Sequence, residues 1–326
     1  MGHIDAYGHI LPSAVYEEYR KISDDTVPSV LDDPIMTDEG IEERLDLLDA
    51  YDVDRQVLTL TLPRVARERD REALLPITRL ANDEIRRIAD EYPDRFVPVA
   101  TVPFLTGEYV EEVERCLDDL DMAGVQIDSN VNGTVIDHPD FYPFYEVVNE
   151  AEVPVWIHPN STDWHDHGPR EWWLYHMVGW PFDTSMAVTK LLFNGVLERF
   201  ENLRVVAHHL GGTLPFIEER MRRWAAIREN NPEHYDPEDP PRYSGTLDDY
   251  LDRVYGDTAL FSQGKTPALR TGYEFFGPEN VLFGFDFPYA REGVLADTID
   301  AVRALDVPAA HVEGILRGNA ETLLDL

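Results

Sequence analysis

Imidazole and carboxylate side chains are the nitrogen and oxygen donors that hold zinc and similar divalent ions, and three protein donors with one position left open make a reactive centre rather than a structural one. Four stretches of this sequence close a short apolar run on such a group: Asp5-Ala6-Tyr7-Gly8-His9, Trp156-Ile157-His158, Ala207-His208-His209-Leu210-Gly211-Gly212 and Gly284-Phe285-Asp286-Phe287-Pro288. Each alone reads more simply as a strand histidine or a turn aspartate satisfied by its neighbours. Their recurrence at four run ends favours a shared site, with His9, His158 and Asp286 as the ligand set. Side chains alternate along a strand, so Tyr7 and His9 share a face, as do Ala207 with His209 and Gly284 with Asp286.

A site drawn from distant run ends needs a scaffold that brings strand ends together. Eight short apolar runs fit strands, at residues 3–9, 55–62, 96–102, 124–128, 153–158, 203–209, 258–262 and 281–286. Between them lie helical patterns at residues 39–51, 71–91, 106–121, 143–150, 184–199, 214–229, 266–276 and 294–305. Strict alternation of strand and helix implies βαβ units on a parallel sheet. Eight units without a break in composition, and without a Gly-x-Gly-x-x-Gly after the first strand, favour a closed α/β barrel, a (β/α)8 TIM barrel, over an open sheet. In such barrels the reactive groups stand at the C-terminal strand ends, which is where the four groups fall. The 326 residues suit a single domain spanning 1–326. Residues 229–245, rich in Pro, Asp and Asn, read as an exposed loop, and residues 162–181 as a long insertion carrying Trp164, His165, His167, Trp172, Trp173, His176 and Trp180.

Composition bounds the partners. With 63 acidic against 28 basic residues the formal charge is −35, and lysine occurs only at Lys21, Lys190 and Lys265. Such a surface repels nucleic acid. It fits a halophilic protein, since in ~1 M salt the Debye length falls to about 3 Å and self-repulsion is screened. No apolar run approaches the roughly 20 residues that span a bilayer, and Met1 to Asp5 do not open a secretory signal, so a cytoplasmic location is expected. Cys116, the single cysteine, sits at helical spacing and is expected to be packed, not reactive.

The order of the motifs resembles the amidohydrolase-2 family, which includes aminocarboxymuconate-semialdehyde decarboxylase and the aromatic acid decarboxylases. Residues Asp5 to Pro12, His158, Gly179 to Phe200, His209 to Pro215 and Asp286 to Pro288 stand in that family's order, and Gly318 to Leu324 resemble its last helix. The resemblance implies a TIM barrel with a metal held by His9 and His158, Asp286 as a ligand or proton carrier, and His209 as an acid-base or polarising group. His208 competes for the last role, but strand parity turns it outward. One departure stands out: Tyr7 occupies the place of the first histidine of the family's His-x-His pair. A phenol is a poor ligand at its ordinary pKa, so the ion is expected to be held by three protein groups and water or to be bound weakly, with Tyr7 instead a candidate to hydrogen-bond the substrate. Residues Gly124 to Asn130 offer no lysine to bridge two metals, leaving one divalent ion, zinc by expectation.

The activity so implied is non-oxidative decarboxylation of a small unsaturated or aromatic carboxylic acid. Metal-dependent hydrolysis would use the same groups, and a barrel that has lost its metal through Tyr7 would be a binding protein. Trp164 and its neighbours are candidates to close over such a substrate or to pack on a second subunit. Arg64, Arg170 and Arg291 are candidates to pair with its carboxylate. Relatives of this kind suggest a homodimer.

Overall fold

A computed structural model describes residues 2–22, 33–60, 71–160, 173–230, 244–260 and 266–326. Its strands follow the expected alternation: His3–Ile10, Val53–Leu60, Phe96–Pro98 continued by Ala100–Thr101, Val125–Asp128, Pro154–His158, Arg204–Ala207, Val254–Asp257 and Val281–Leu282. Adjacent strands pair in parallel. The ring closes where strand one meets strand eight, through the Ala6 amide on the Phe283 carbonyl at 2.8 Å, the His9 amide on the Phe287 carbonyl at 2.6 Å, and a parallel bridge between Gly8 and Phe287. Ile4, Tyr7, Val57, Val99, Trp156, Val206 and Leu282 fill the barrel interior. A second, larger apolar layer lies between the strands and helices such as Arg71–Glu91 and Glu108–Asp118, where Cys116 is fully buried as expected.

Two differences from the sequence expectation bear on function. Strand seven runs Val254–Asp257, four residues before the expected 258–262, so it ends on a carboxylate, Asp257. Strand six stops at Ala207 instead of running to His209. Because Val206 points into the barrel, His208 has the inward parity, and His209 turns off the strand in a left-handed conformation at φ 56°. The expectation that His208 faces outward is thereby corrected: His208 is buried on the inside. The turn continues through Gly212 at φ 67°, where a Cβ would collide with the Pro181 carbonyl, so glycine lets the strand-six turn pack against the helix Trp180–Phe193. No helix among the described residues is long and apolar enough to cross a membrane.

Candidate metal and catalytic site

Strand one delivers His9, but not as a regular strand. Its register with strand two shifts between Asp5 and Gly8, and the Tyr7 amide turns to the Asp5 carboxylate at 3.1 Å. Irregularities of this kind re-aim side chains beside active sites. A buried polar chain holds the distortion: Gln56 donates to Asp5 at 2.6 Å, and Arg44 donates to Gln56 at 2.9 Å and to the His9 carbonyl at 2.6 Å while lying 4.4 Å over the Phe287 ring. Burial raises the Asp5 carboxyl to about 7 and lowers Arg44 to about 9.

The hydrogen bonds of His9 fix its tautomer. Thr59 Oγ1 donates to the Gly8 carbonyl at 3.1 Å, which leaves that oxygen to accept from His9 Nδ1 at 2.7 Å. Nδ1 therefore carries the proton and Nε2 the lone pair. Burial favours the same neutral ring, lowering the His9 pKa. Nε2 is fully buried, makes no hydrogen bond among the described residues, and lies 3.1 Å from Asp286 Oδ1. A lone pair and a carboxylate oxygen facing each other in a dry interior repel unless a cation stands between them.

His208 is built in the same way. Asp257 Oδ2 accepts from its Nδ1 at 2.7 Å, while Asp257 Oδ1 accepts the amides of His209 at 3.2 Å and Ala259 at 3.0 Å. Nε2 of His208 is left facing Asp286 Oδ1 at 3.7 Å. Ligand-capable atoms of His9, His208 and Asp286 all lie within 4.8 Å of one another. A second such group, His208, His209 and Asp257, shares His208, but its carboxylate is spent on backbone amides. Burial alone would depress the His208 pKa; Asp257 and Asp286 outweigh it and raise the ring to about 9. Burial would conversely raise Asp286, yet the facing His208 and His9 rings hold it well below the usual carboxylate range. Asp286 sits at φ 63°, a conformation costing a non-glycine residue roughly 1–2 kcal/mol and common at functional sites.

The other expected residues are placed as follows. The His158 ring centroid is 5.4 Å from that of His9 and 6.2 Å from that of His208, beside the site but outside the tight trio. Burial, then the His9 and His208 charges, hold His158 well below its ordinary pKa. His209 donates from Nδ1 to the Ala259 carbonyl, leaving Nε2 as its acceptor nitrogen, and burial with the His208 charge lowers it to about 4. Tyr7 stacks on His208 with centroids 3.6 Å apart, and its hydroxyl donates to Gln126 Oε1 at 3.1 Å. Burial and the Asp257, Asp286 and Asp128 charges push that phenol well above its ordinary value. Trp180, His176 and Tyr289 wall the site, with Trp180 6.0 Å from His158 and Tyr289 5.9 Å from His9. Arg291 pairs with Asp33 at 2.6 Å. Arg64, Trp164 and Arg170 lie outside the described residues.

Sequence reasoning missed Asp257 and the inward His208. The signal for Asp257 was present: Val254-Tyr255-Gly256-Asp257 ends an apolar run on a carboxylate, as Gly284-Phe285-Asp286 does.

Comparison with known proteins agrees with this architecture. Residues 4–326 match the family model described as amidohydrolase. The chain is 30% identical over 289 residues to 2-amino-3-carboxymuconate-6-semialdehyde decarboxylase of Dictyostelium discoideum, covering 87% of this chain and 76% of the relative. It is 24% identical over 300 residues to γ-resorcylate decarboxylase of a Rhizobium strain, covering 87% of each. A crystal structure of 5-carboxyvanillate decarboxylase from Novosphingobium aromaticivorans, complexed with manganese and 4-hydroxy-3-methoxy-5-nitrobenzoic acid, superposes with a TM-score of 0.86 at 23% identity, over 99% of this chain and 96% of that one.

Proposed function

Because the chain belongs to the amidohydrolase family, matched over residues 4–326, we propose that it is a metal-dependent carboxy-lyase that removes CO2 from a small aromatic or unsaturated carboxylic acid. The observation that carries the reading is the buried His9 Nε2 lone pair, fixed by Thr59 and aimed at the Asp286 carboxylate beside His208, an arrangement that calls for a cation. These donors fit a divalent ion, and the predominance of imidazole favours zinc over manganese, which prefers oxygen ligands. The named decarboxylases among its relatives supply the reaction class.

When bound, the ion supplies Lewis acidity toward the oxygen groups of the acid. The rest falls to the chain. Asp286, held ionised at rest, relays a proton from water to the carbon that gives up CO2. His209, neutral and with Nε2 as acceptor, takes a hydrogen bond from a substrate hydroxyl. Trp180, His176 and Tyr289 offer flat faces to an aromatic ring and exclude water from it. The described arginines do not provide a free partner at the site in Arg291, which Asp33 engages. Retention of His9, His158, His209 and Asp286 argues against a barrel that merely binds.

Carboxyl-labelled hydroxybenzoic and muconic-type acids, incubated with the zinc- or manganese-loaded chain, test this reading. Label released as CO2, and abolished by chelation, is expected. Water oxygen incorporated into product, with the carboxylate retained, would mean hydrolysis instead.

We read the −35 charge as adaptation to a salty cytoplasm. Leu174, Val178, Phe182 and Met186, all exposed, recur every four residues along the helical run 174–193, a stripe suited to a second copy of the chain. Light scattering in high salt tests the dimer.

A further inference from the structure

We propose that His208 Nε2 is itself a metal ligand, taking over the coordination place that Tyr7 has given up, so that the ion sits among His9, His208 and Asp286 with His158 at its edge. This rests on the metal-dependent reading above and deepens it. Tyr7 does not present its oxygen to the trio. Its hydroxyl is committed to Gln126 Oε1 at 3.1 Å, and Gln126 is itself anchored by donating to the Leu60 carbonyl at 2.7 Å, so the phenol oxygen is held by the barrel wall instead of being offered to the trio. What Tyr7 presents to the site is its ring face, stacked on His208 at 3.6 Å with 21° between planes. The larger residue does not fill the lost donor's role; it braces the imidazole that can.

The fit of His208 to that role is geometric. Metal-bound histidines usually donate their second ring nitrogen to a carboxylate, which fixes the tautomer and the ring plane. Asp257 does this for His208 at 2.7 Å, and Asp257 is in turn locked by two backbone amides. His9 is prepared in parallel by Thr59. The two prepared nitrogens lie 3.1 and 3.7 Å from Asp286 Oδ1, and ligand-capable atoms of the three residues fall within 4.8 Å of one another in a buried setting. Among the described residues the expected ligand His158 has no comparable anchor, since its Nδ1 lies 4.0 Å from the nearest Asp128 oxygen. Inward placement of His208 follows from the early end of strand six, so the new donor and the altered first strand meet across the barrel mouth.

The test is affinity for Zn2+ alone, by competition with a chromophoric chelator, on the wild-type chain, His208→Ala, and His208→Ala combined with Tyr7→His. Loss of a ligand is expected to weaken Zn2+ binding by more than about 100-fold, beyond the 10–100-fold typical of an outer-shell partner. The histidine restored at position 7 is expected to recover at least about tenfold of it. Wild-type affinity retained in His208→Ala would overturn the proposal while leaving the metal reading standing. Absence of Zn2+ and Mn2+ binding by the wild-type chain would overturn both. If His208→Ala does not fold, X-ray absorption of the Zn2+-loaded wild type decides. Imidazole scattering that drops on His158→Ala to none beyond that of His9 excludes His208, and scattering that still requires a further imidazole supports it.

Discussion

Replacing Asp257 by asparagine changes one atom, and its effect can be worked out from the hydrogen bonds. Asp257 Oδ1 accepts the His209 and Ala259 amides, and the asparagine oxygen can keep both bonds. That places the new NH2 where Oδ2 now accepts from His208 Nδ1 at 2.7 Å. Two donors would then meet, so the ring gives up its Nδ1 proton and keeps one only on Nε2, the nitrogen that faces Asp286. Exchanging a charge-assisted bond of about 1.5–3 kcal/mol for a neutral one of about 1 kcal/mol costs roughly 0.5–2 kcal/mol of stability in the metal-free chain. The larger effect is on the ion, since a protonated Nε2 cannot coordinate. An outer-shell loss of 10–100-fold in affinity, about 1.4–2.7 kcal/mol, is expected. Chelator competition measures the affinity, and NMR titration of the His208 ring measures the electrostatics: its pKa, held at about 9 by Asp257 and Asp286 against burial, should fall. Unchanged Zn2+ affinity together with an unchanged His208 titration would refute the reasoning.

Other changes follow from the same framework. Arg44→Met strands the His9 carbonyl and Gln56 and removes the cation over Phe287, so denaturant unfolding should report a loss of about 2–4 kcal/mol; an unaltered midpoint would mean that the buried arginine does not brace strand one. Gly212→Ala forces a Cβ onto the Pro181 carbonyl at φ 67° and should destabilise by at least about 1–3 kcal/mol, read as a lowered melting temperature. Without metal, the His208 pKa is raised in the folded state, so its contribution is complete below about 6.5, the unfolded value, and is lost as pH rises toward about 9. Asp5, raised to about 7, loses stability in the same direction as pH rises, and most of that loss falls below this window. Stability of the chelated chain should therefore fall between about pH 7 and 9, the decline disappearing in His208→Gln; a flat profile in the unsubstituted chain counts against it. Melting temperature should climb as KCl rises from ~0.1 M to ~1 M and the −35 charge is screened; a fall across that range would contradict the halophilic reading.

The barrel was legible because its signal is repeated. Helix Arg71–Glu91 stands where periodicity places it, strands four and five end where their apolar runs do, and strand one ends one residue beyond its run, at Ile10. Strand seven was displaced because Val254-Tyr255-Gly256-Asp257 is short and mixed, while the following residues are more uniformly apolar. That shift hid Asp257, and with it the anchor of His208. Parity reasoning failed at His208 for a related cause: alternation holds only while the chain remains a strand, and this one turns at Ala207 into left-handed residues that sequence patterning does not reveal. Convergence of His9 with Asp286 was readable from the ends of their apolar runs, although strand eight itself stops at Leu282, four residues before Asp286. The tautomers were not, since Thr59, Gly8 and Asp257 set them through contacts distant in sequence.

The most direct test of the proposed reaction is turnover in D2O, followed by NMR of the product from a hydroxybenzoic acid and the metal-loaded chain. Decarboxylation by this site predicts one deuteron at the carbon that carried the carboxylate, delivered at a rate that Asp286→Asn lowers by about 100-fold or more, the scale of a positioned acid-base group. A product that keeps its carboxylate and gains solvent oxygen would contradict the account, as would deuteration undiminished in Asp286→Asn.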